Sequence, residues 1–312
     1  MTQLLSEFSL IDRYFKRQSV KKTVTLGIGD DCALLNIPQD YELAITTDTM
    51  VENVHFFAGA DARQLGHKLL AVNLSDLASM GAKPLAVTLA LTLPGIDEHW
   101  LTEFAEGFFA LADKYQVDLI GGDTTSGSLT LTMQALGLVP TGQALKRSAA
   151  KVGDFVCVSG NLGDAGFGLK IKQGYLCSEQ ELPLQRFHQP DPQVEFGQAL
   201  LGIANACIDI SDGLAGDLGH ILKQSGVGAC LDWDKIPLSN AVKGYIENTG
   251  DWQLPLNAGD DYELCFTVSP ENYPRLTVPH HKIGIIQAEA GLRLNKSGHI
   301  QLFEGKSFEH FS

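Results

Sequence analysis

The sequence predicts a chain of the α/β (α+β) class made of two mixed halves. Three observations lead there. The chain has 312 residues, too many for one small core and suited to two domains of roughly 150 residues each. Apolar strand-like runs alternate with helical segments along its whole length. The composition changes at PTGQALKRSAAKVG, residues 140 to 153. The boundary is placed there, giving domains 1–145 and 146–312.

Taken in order, residues 4 to 18 carry Leu4, Leu5, Phe8, Ile11 and Phe15 at helical spacing. A strand enters the GIGDD turn. YELAITTD, residues 41 to 48, alternates as a strand does. Residues 62 to 80 read as a helix rich in Leu and Ala, closed by Gly81. KPLAVTLALTLP is a buried strand stopped by Pro94 and Gly95. DEHWLTEFAEGFFALADKY is a helix with acids in its first turn, where the helix dipole favours them. VDLIGGD is a strand running into a glycine turn, and SLTLTMQALGLVP is another strand.

Past the boundary, DFVCVSG reads as a strand and GDAGFGLKIKQG as a helix start. Residues 192 to 205 read as a helix, ACIDI as a strand and GLAGDLGHILKQ as a helix. YELCFTV and KIGIIQ are strands, and RLNKSGHIQLFE is a terminal hairpin. NLSDLA at 73–78 and DISDGLA at 209–215 look alike and hint at a duplicated module.

The net charge is -14, from 37 acidic and 23 basic residues. Such a surface repels nucleic acid and anionic membrane. No stretch approaches the ~20 apolar residues of a membrane span, and the N-terminus lacks the long apolar run of a signal peptide. Cys32, Cys157, Cys177, Cys207, Cys230 and Cys265 form no CxxC pair. They read as reduced core residues. A cytoplasmic protein is expected.

The acids are distributed unusually. TLGIGDDCALLNI, residues 25 to 37, places Asp30 and Asp31 side by side in an apolar run. Adjacent carboxylates repel, and burial raises the cost. Asp48, Asp76, Asp123, Asp209, Asp212, Asp260 and Asp261 are read in the same way, at strand ends or glycine turns. If they converge they need a cation. Mg²⁺ suits them, because it takes hard oxygen ligands and adds substrate phosphates and water. Thr46 and Thr47 add oxygens beside Asp48, while Gly27, Gly29, Gly121 and Gly122 allow close backbone approach. The plain alternative, that each Asp caps a helix or closes a turn, becomes weak when so many recur.

Phosphate motifs are otherwise missing. EGKSF at 304–308 lacks the first P-loop glycine, which would be Ile300, and GIGDDC has Cys32 where GxGxxG needs glycine. VSGNLGDAGFGL at 158–169 reads either as a phosphate cradle at a helix start or as tight strand–helix packing. His55, between Val54 and Phe56, is either a packed histidine or a substrate contact. Lys146 and Arg147 are either a solvated linker or a phosphate clamp.

Together, GIGDDCALL, TTDTMVENVHF, NLSDLASMGAKP, GGDTTSG, DISDGL and GDDYELCF resemble the thiamine-monophosphate kinase family. That family sits in the superfamily of aminoimidazole ribonucleotide synthetase and selenophosphate synthetase. The resemblance runs along nearly the whole chain. It implies an aminoimidazole ribonucleotide synthetase-like fold: an N-terminal α/β domain whose strands form a dimer β-barrel, and a C-terminal α+β domain completing an active-site cleft. It implies transfer of the γ-phosphoryl of ATP to thiamine monophosphate. By motif matching, Asp31, Thr46, Thr47, Asp48, Asp76, Asp123, Asp209 and Asp212 would hold several Mg²⁺ ions, with Asp30 adjacent. Asp48, Asp76, Asp123 and Asp212 would be the catalytic set. Gly122, Asp123, Arg147 and Ser211 would contact ATP, and His55, Asp260 and Phe308 the thiamine phosphate.

Two positions depart from the family pattern. Asp260 stands where glutamate is usual, and Phe308 where Trp or Tyr is usual. Both changes bear on substrate fit and leave the reaction type intact. A sister enzyme that cyclises a ribonucleotide is disfavoured by the TTDT…VHF segment. A selenophosphate synthetase would call for an N-terminal reactive Cys, and the first 31 residues contain none. A non-catalytic cation-binding scaffold would bind metal without turning over ATP.

Overall fold

The computed structural model describes residues 7–19, 21–178 and 180–305. The chain divides into two units, Met1–Leu77 with Lys83–Gly142, and Ala78–Ala82 with Gln143–Ser312.

In the first unit, β1 (Val24–Leu26) and β2 (Leu34–Leu35) form a small antiparallel pair around the GIGDD bend. A four-stranded sheet follows, built from β3 (Tyr41–Val51), β4 (Lys83–Leu93), β5 (Asp118–Ser126) and β6 (Thr130–Pro140). Its order is β3-β6-β4-β5. The β4–β5 pair is parallel and the others antiparallel. The parallel pair needs a crossover, which the helix Glu98–Tyr115 supplies. Asp97 caps that helix, accepting the N–H groups of His99 and Trp100.

Strand alternation sorts the sheet into two faces. Thr46, Asp48 and Met50 share one face with Ala135, Met133 and Leu131 across the ladder. Met50, Leu131, Met133 and Ala135 are buried there. Thr46 bonds to Asp76, which brings the helix Ala62–Ser79 over this face. The two long helices meet through glycine: a Cβ at Gly66 would stand 2.1 Å from the Phe104 carbonyl oxygen, and one at Gly107 1.9 Å from that of Arg63. The other face carries Leu43 and Ile45, exposed at 36% and 57%.

The second unit holds a seven-stranded sheet of order β13-β12-β9-β11-β7-β10-β8. Its strands are β7 (Phe155–Val158), β8 (Ala206–Asp209), β9 (Gly228–Asp232), β10 (Leu264–Val268), β11 (His281–Gln287), β12 (Gly291–Lys296) and β13 (His299–Leu302). Only β12–β9 pairs in parallel. Val156, Val158 and Ile208 from the sheet share a core with Leu214, Leu218 and Ile221 of the helix Leu214–Ser225. Further helices span Asp164–Lys172, Glu181–His188 and Asn240–Thr249.

Several expectations change. The first helix is described from Glu7, reaches Leu10 and continues as a wider π-helical turn to Phe15; Leu4 and Leu5 lie outside the described residues. The 192–205 helix is confined to Val194–Ala199. β9 has no isolated periodic signal, whereas the Asn240–Thr249 helix, absent from the expected elements, carries one: Ser239 caps it, Gly250 closes it, and Ala241, Val242 and Tyr245 fall on one buried face. Gly121 and Gly122 stay inside β5, because Gly122 lies against β4: a Cβ there would meet the Leu89 carbonyl oxygen at 1.8 Å. The similar NLSDLA and DISDGLA segments adopt different structures. The first lies inside a helix, and the second ends β8 and turns into one.

Candidate active site

The acids do not all end strands. Asp48 and Asp123 lie within β3 and β5, and Asp76 lies within a helix. Only Asp209 closes a strand, β8. Asp30 and Asp31 are exposed, so solvent, not burial, bears their mutual repulsion. Cys32 beside them is also exposed, unlike the buried Cys157, Cys207 and Cys265.

The first unit brings two subsets together. One is Thr46, whose hydroxyl donates to the Asp76 carboxylate, with Asp48 two residues along the same face. Thr47 points to the opposite face and is exposed. Asp123 lies across the ladder from Ala90, Thr132 and Thr49 in turn. The second subset lines a cavity of about 620 Å³ that includes Asp30, Asp31, Gly122, Asp123 and Lys16, with Phe15 and Leu91 on its apolar side. Lys16, which no sequence motif marks, pairs with Asp12 at 3.0 Å.

His55 is half-buried, in a tight turn after β3. Its N–H donates to the Val51 carbonyl at 2.9 Å, and Nδ1 accepts the Val51 N–H at 2.9 Å. In the neutral ring the proton therefore resides on Nε2.

In the second unit, Ser211 and Asp212 lie in the loop between β8 and the helix Leu214–Ser225. Both N–H groups donate to Asp217 Oδ2, each at 3.0 Å. Burial pushes the Asp217 carboxyl up to about 7; the two N–H bonds and the Arg147 charge oppose the rise, and the Asp212 charge adds to it. Arg147 is exposed, its carbonyl held by Ser225 Oγ at 2.9 Å. Asp260, half-buried, accepts from the Tyr262 hydroxyl at 3.1 Å. Phe308 lies outside the described residues.

The glycine-rich segment before the helix Asp164–Lys172 is a packing device. The N–H groups of Gly163, at its end, and of Ala165, in the first turn of the helix, donate to the buried Asp261 carboxylate at 2.8 and 3.4 Å. An internal carboxylate thus takes the place a phosphate would fill. Asp217 carries no signal of its own in the sequence, because a buried carboxylate that grips backbone looks like any other Asp in a motif; Asp261, which the sequence groups with the cation-seeking acids, holds these backbone N–H groups instead.

The donors offered by the proposed metal residues are carboxylate, hydroxyl and carbonyl oxygens. That hard set fits Mg²⁺ and disfavours softer metals. Among the described residues no three His, Cys, Asp or Glu side chains gather as a ready cage. Mg²⁺ commonly uses one or two carboxylates completed by phosphates and water.

Two family models match the chain: AIR synthase related protein, N-terminal domain, over residues 29–139, and its C-terminal domain over 151–290. The chain is therefore a two-domain protein of the AIR synthase related class. It is 47% identical over 319 aligned residues to the thiamine-monophosphate kinase of Salmonella typhimurium, and 46% to that of Escherichia coli, with 98% of each chain covered. The crystal structure of thiamine-monophosphate kinase from Stenotrophomonas maltophilia matches with a TM-score of 0.85 at 42% identity, covering 94% of this chain and 98% of that one. AaThiL complexed with AMPPCP and TMP matches at 0.79 and 30%, covering 98% and 97%. The chain belongs to the thiamine-monophosphate kinase family.

Proposed function

We infer that this chain transfers the γ-phosphoryl group of ATP to thiamine monophosphate, releasing thiamine diphosphate and ADP. The observation that carries this is identity of 47% across 98% of both chains to a thiamine-monophosphate kinase. The similarity to a relative complexed with AMPPCP and TMP supports it. A phosphate oxygen of the acceptor forms a bond to the γ-phosphorus as the bond to the β–γ bridging oxygen breaks. The acceptor is already anionic, so no general base is needed, and His55 serves to position it.

The finer assignments rest on the motifs. Asp31, Thr46, Thr47, Asp48, Asp76, Asp123, Asp209 and Asp212 are the residues that would hold Mg²⁺. Bound there, Mg²⁺ supplies charge neutralisation for two polyanions and in-line alignment of their oxygens. Thr46 keeps the Asp76 carboxylate oriented through its hydroxyl. Gly122, without a side chain, lets backbone approach the phosphates, and Asp123, Arg147 and Ser211 complete the ATP contacts. Asp260, fixed by the Tyr262 hydroxyl, and Phe308 receive the thiamine part. Asp260 is one methylene shorter than the usual glutamate.

The protein acts in the cytoplasm as a homodimer. The open face of the four-stranded sheet, with Leu43 and Ile45 exposed on the edge strand β3, is the surface a second copy covers, the two sheets closing as a β-barrel. Among the described residues the six cysteines form no disulfide, which agrees with a reducing compartment.

The deciding experiment measures ADP release from MgATP with thiamine monophosphate, thiamine or formylglycinamidine ribonucleotide as acceptor. Turnover is expected with thiamine monophosphate alone, with thiamine diphosphate as product. Turnover with the ribonucleotide instead would move the chain to a sister activity.

A further inference from the structure

The reaction outlined above makes no direct use of Asp217, yet its carboxylate is only 2% exposed. It lies in the first turn of the helix Leu214–Ser225. Its Oδ2 accepts two successive backbone N–H groups, from Ser211 and Asp212, at 3.0 Å each.

The same turn is held from its other side. The Ser211 carbonyl accepts the N–H of Asp260 at 2.9 Å, and the Ile210 carbonyl accepts that of Tyr262 at 2.8 Å. Asp260 and Tyr262 adopt φ of 68° and 50°, the left-handed region that residues other than glycine disfavour. The approach depends on Gly259, where a Cβ would stand 2.1 Å from the Ser211 carbonyl oxygen. The turn is thus clamped between a carboxylate that takes its N–H groups and a strained loop that feeds its carbonyls.

We infer that Asp217 is a positioning residue: its carboxylate sets the Ser211–Asp212 turn, and through the Ser211 carbonyl it sets Asp260, so that one buried group governs the fit of both substrates. This rests on the assignment of Ser211 and Asp212 to the nucleotide and Asp260 to the acceptor. An acid serving only as a helix cap would affect stability and leave the affinities of folded protein unchanged.

The test compares Asp217→Asn, Asp217→Glu and Asp217→Ala in the full chain. Calorimetry reads the binding of AMPPCP with Mg²⁺, turnover assays read kcat and both KM values, and thermal unfolding is recorded for each variant. Asn keeps an oxygen able to accept both N–H groups, so its affinities and kcat should stay within about threefold of the parent. Glu keeps the charge but displaces the turn, and Ala leaves two N–H groups without their acceptor. Both should weaken AMPPCP binding and raise both KM values by about 10- to 100-fold, the usual cost of losing a group that orients ligands.

If Asp217→Ala does not fold, Asp217→Glu decides. Unchanged affinities in Asp217→Glu, or damage by Asn equal to that by Glu, overturn the inference. A parent chain that binds AMPPCP but does not phosphorylate thiamine monophosphate overturns the acceptor assignment, and the binding arm still decides the role of Asp217 toward the nucleotide.

Discussion

The backbone N–H of Val51 donates to Nδ1 of His55 at 2.9 Å, so the last residue of β3 sets the ring of the histidine that follows it. One ring nitrogen is committed to the backbone as an acceptor. That arrangement suits an oriented contact and does not suit a proton shuttle.

His55→Ala should therefore raise the KM for thiamine monophosphate about tenfold and change kcat and the KM for ATP less than about threefold. Steady-state kinetics with each substrate varied checks this. A fall in kcat with KM unchanged would make His55 part of the chemical step.

The two neighbouring threonines should behave differently. Thr46→Val removes the donor to Asp76 and should raise the Mg²⁺ concentration needed for half-maximal rate by about tenfold. Thr47→Val keeps the backbone carbonyl, the oxygen Thr47 would offer Mg²⁺, and changes only a side chain on the opposite, exposed face, so it should shift it less than about twofold. Asp76→Asn should cost on the order of 10²-fold in kcat, as loss of a charge-stabilising group commonly does. Mg²⁺ titrations of the three variants separate these outcomes. Equal effects of the two threonine changes would mean that the Thr47 hydroxyl also serves the site.

Stability should fall as pH rises. Burial pushes the Asp261, Glu263 and Asp164 carboxyls above the usual range. N–H bonds from Gly163 and Ala165 oppose this at Asp261, as do the hydroxyls of Ser159 at Glu263 and Ser239 at Asp164. The folded chain then keeps protons that the unfolded chain has released. The stabilisation is complete below the ordinary carboxylate range, near pH 4, and is lost as pH rises through the raised values. Urea midpoints measured upward from about pH 4.5 should decline. Asp261→Asn, similar in shape and uncharged, should flatten that slope; an unchanged slope would assign the effect to other groups.

Ile45→Lys places a charge on the exposed sheet face, where Ile45 is 57% exposed. A dimer formed through this face should dissociate, with monomer seen by analytical ultracentrifugation. The monomer's own stability should change by less than about 0.5 kcal/mol, as at most surface positions. A dimer that persists would locate the contact elsewhere.

The Gly66–Gly107 crossing, the four-stranded sheet and the terminal hairpin show how far local pattern reaches. Alternation in YELAITTD and the long apolar runs at 83–93 and 130–140 mark β3, β4 and β6, because a half-buried strand must alternate and a buried one must be apolar. Helices with a capping Asp or a closing glycine, such as Glu98–Tyr115, are legible for the same local reason. The short helices and β9 are not, because their apolar residues make sense only against the core they join.

By itself the sequence determined the class of fold, the order of most elements and the family, since the motifs that carry the resemblance are runs of adjacent residues. Tertiary structure decided which acids are exposed and which are gripped. Asp30 and Asp31 sit in an apolar run yet face solvent, and Thr47 lies beside Thr46 yet points to the other face. Asp261 reaches N–H groups 96 and 98 positions away. Burial and hydrogen bonding are properties of long-range packing, so an aspartate's neighbours in sequence show that it matters, and only its neighbours in space show what it holds.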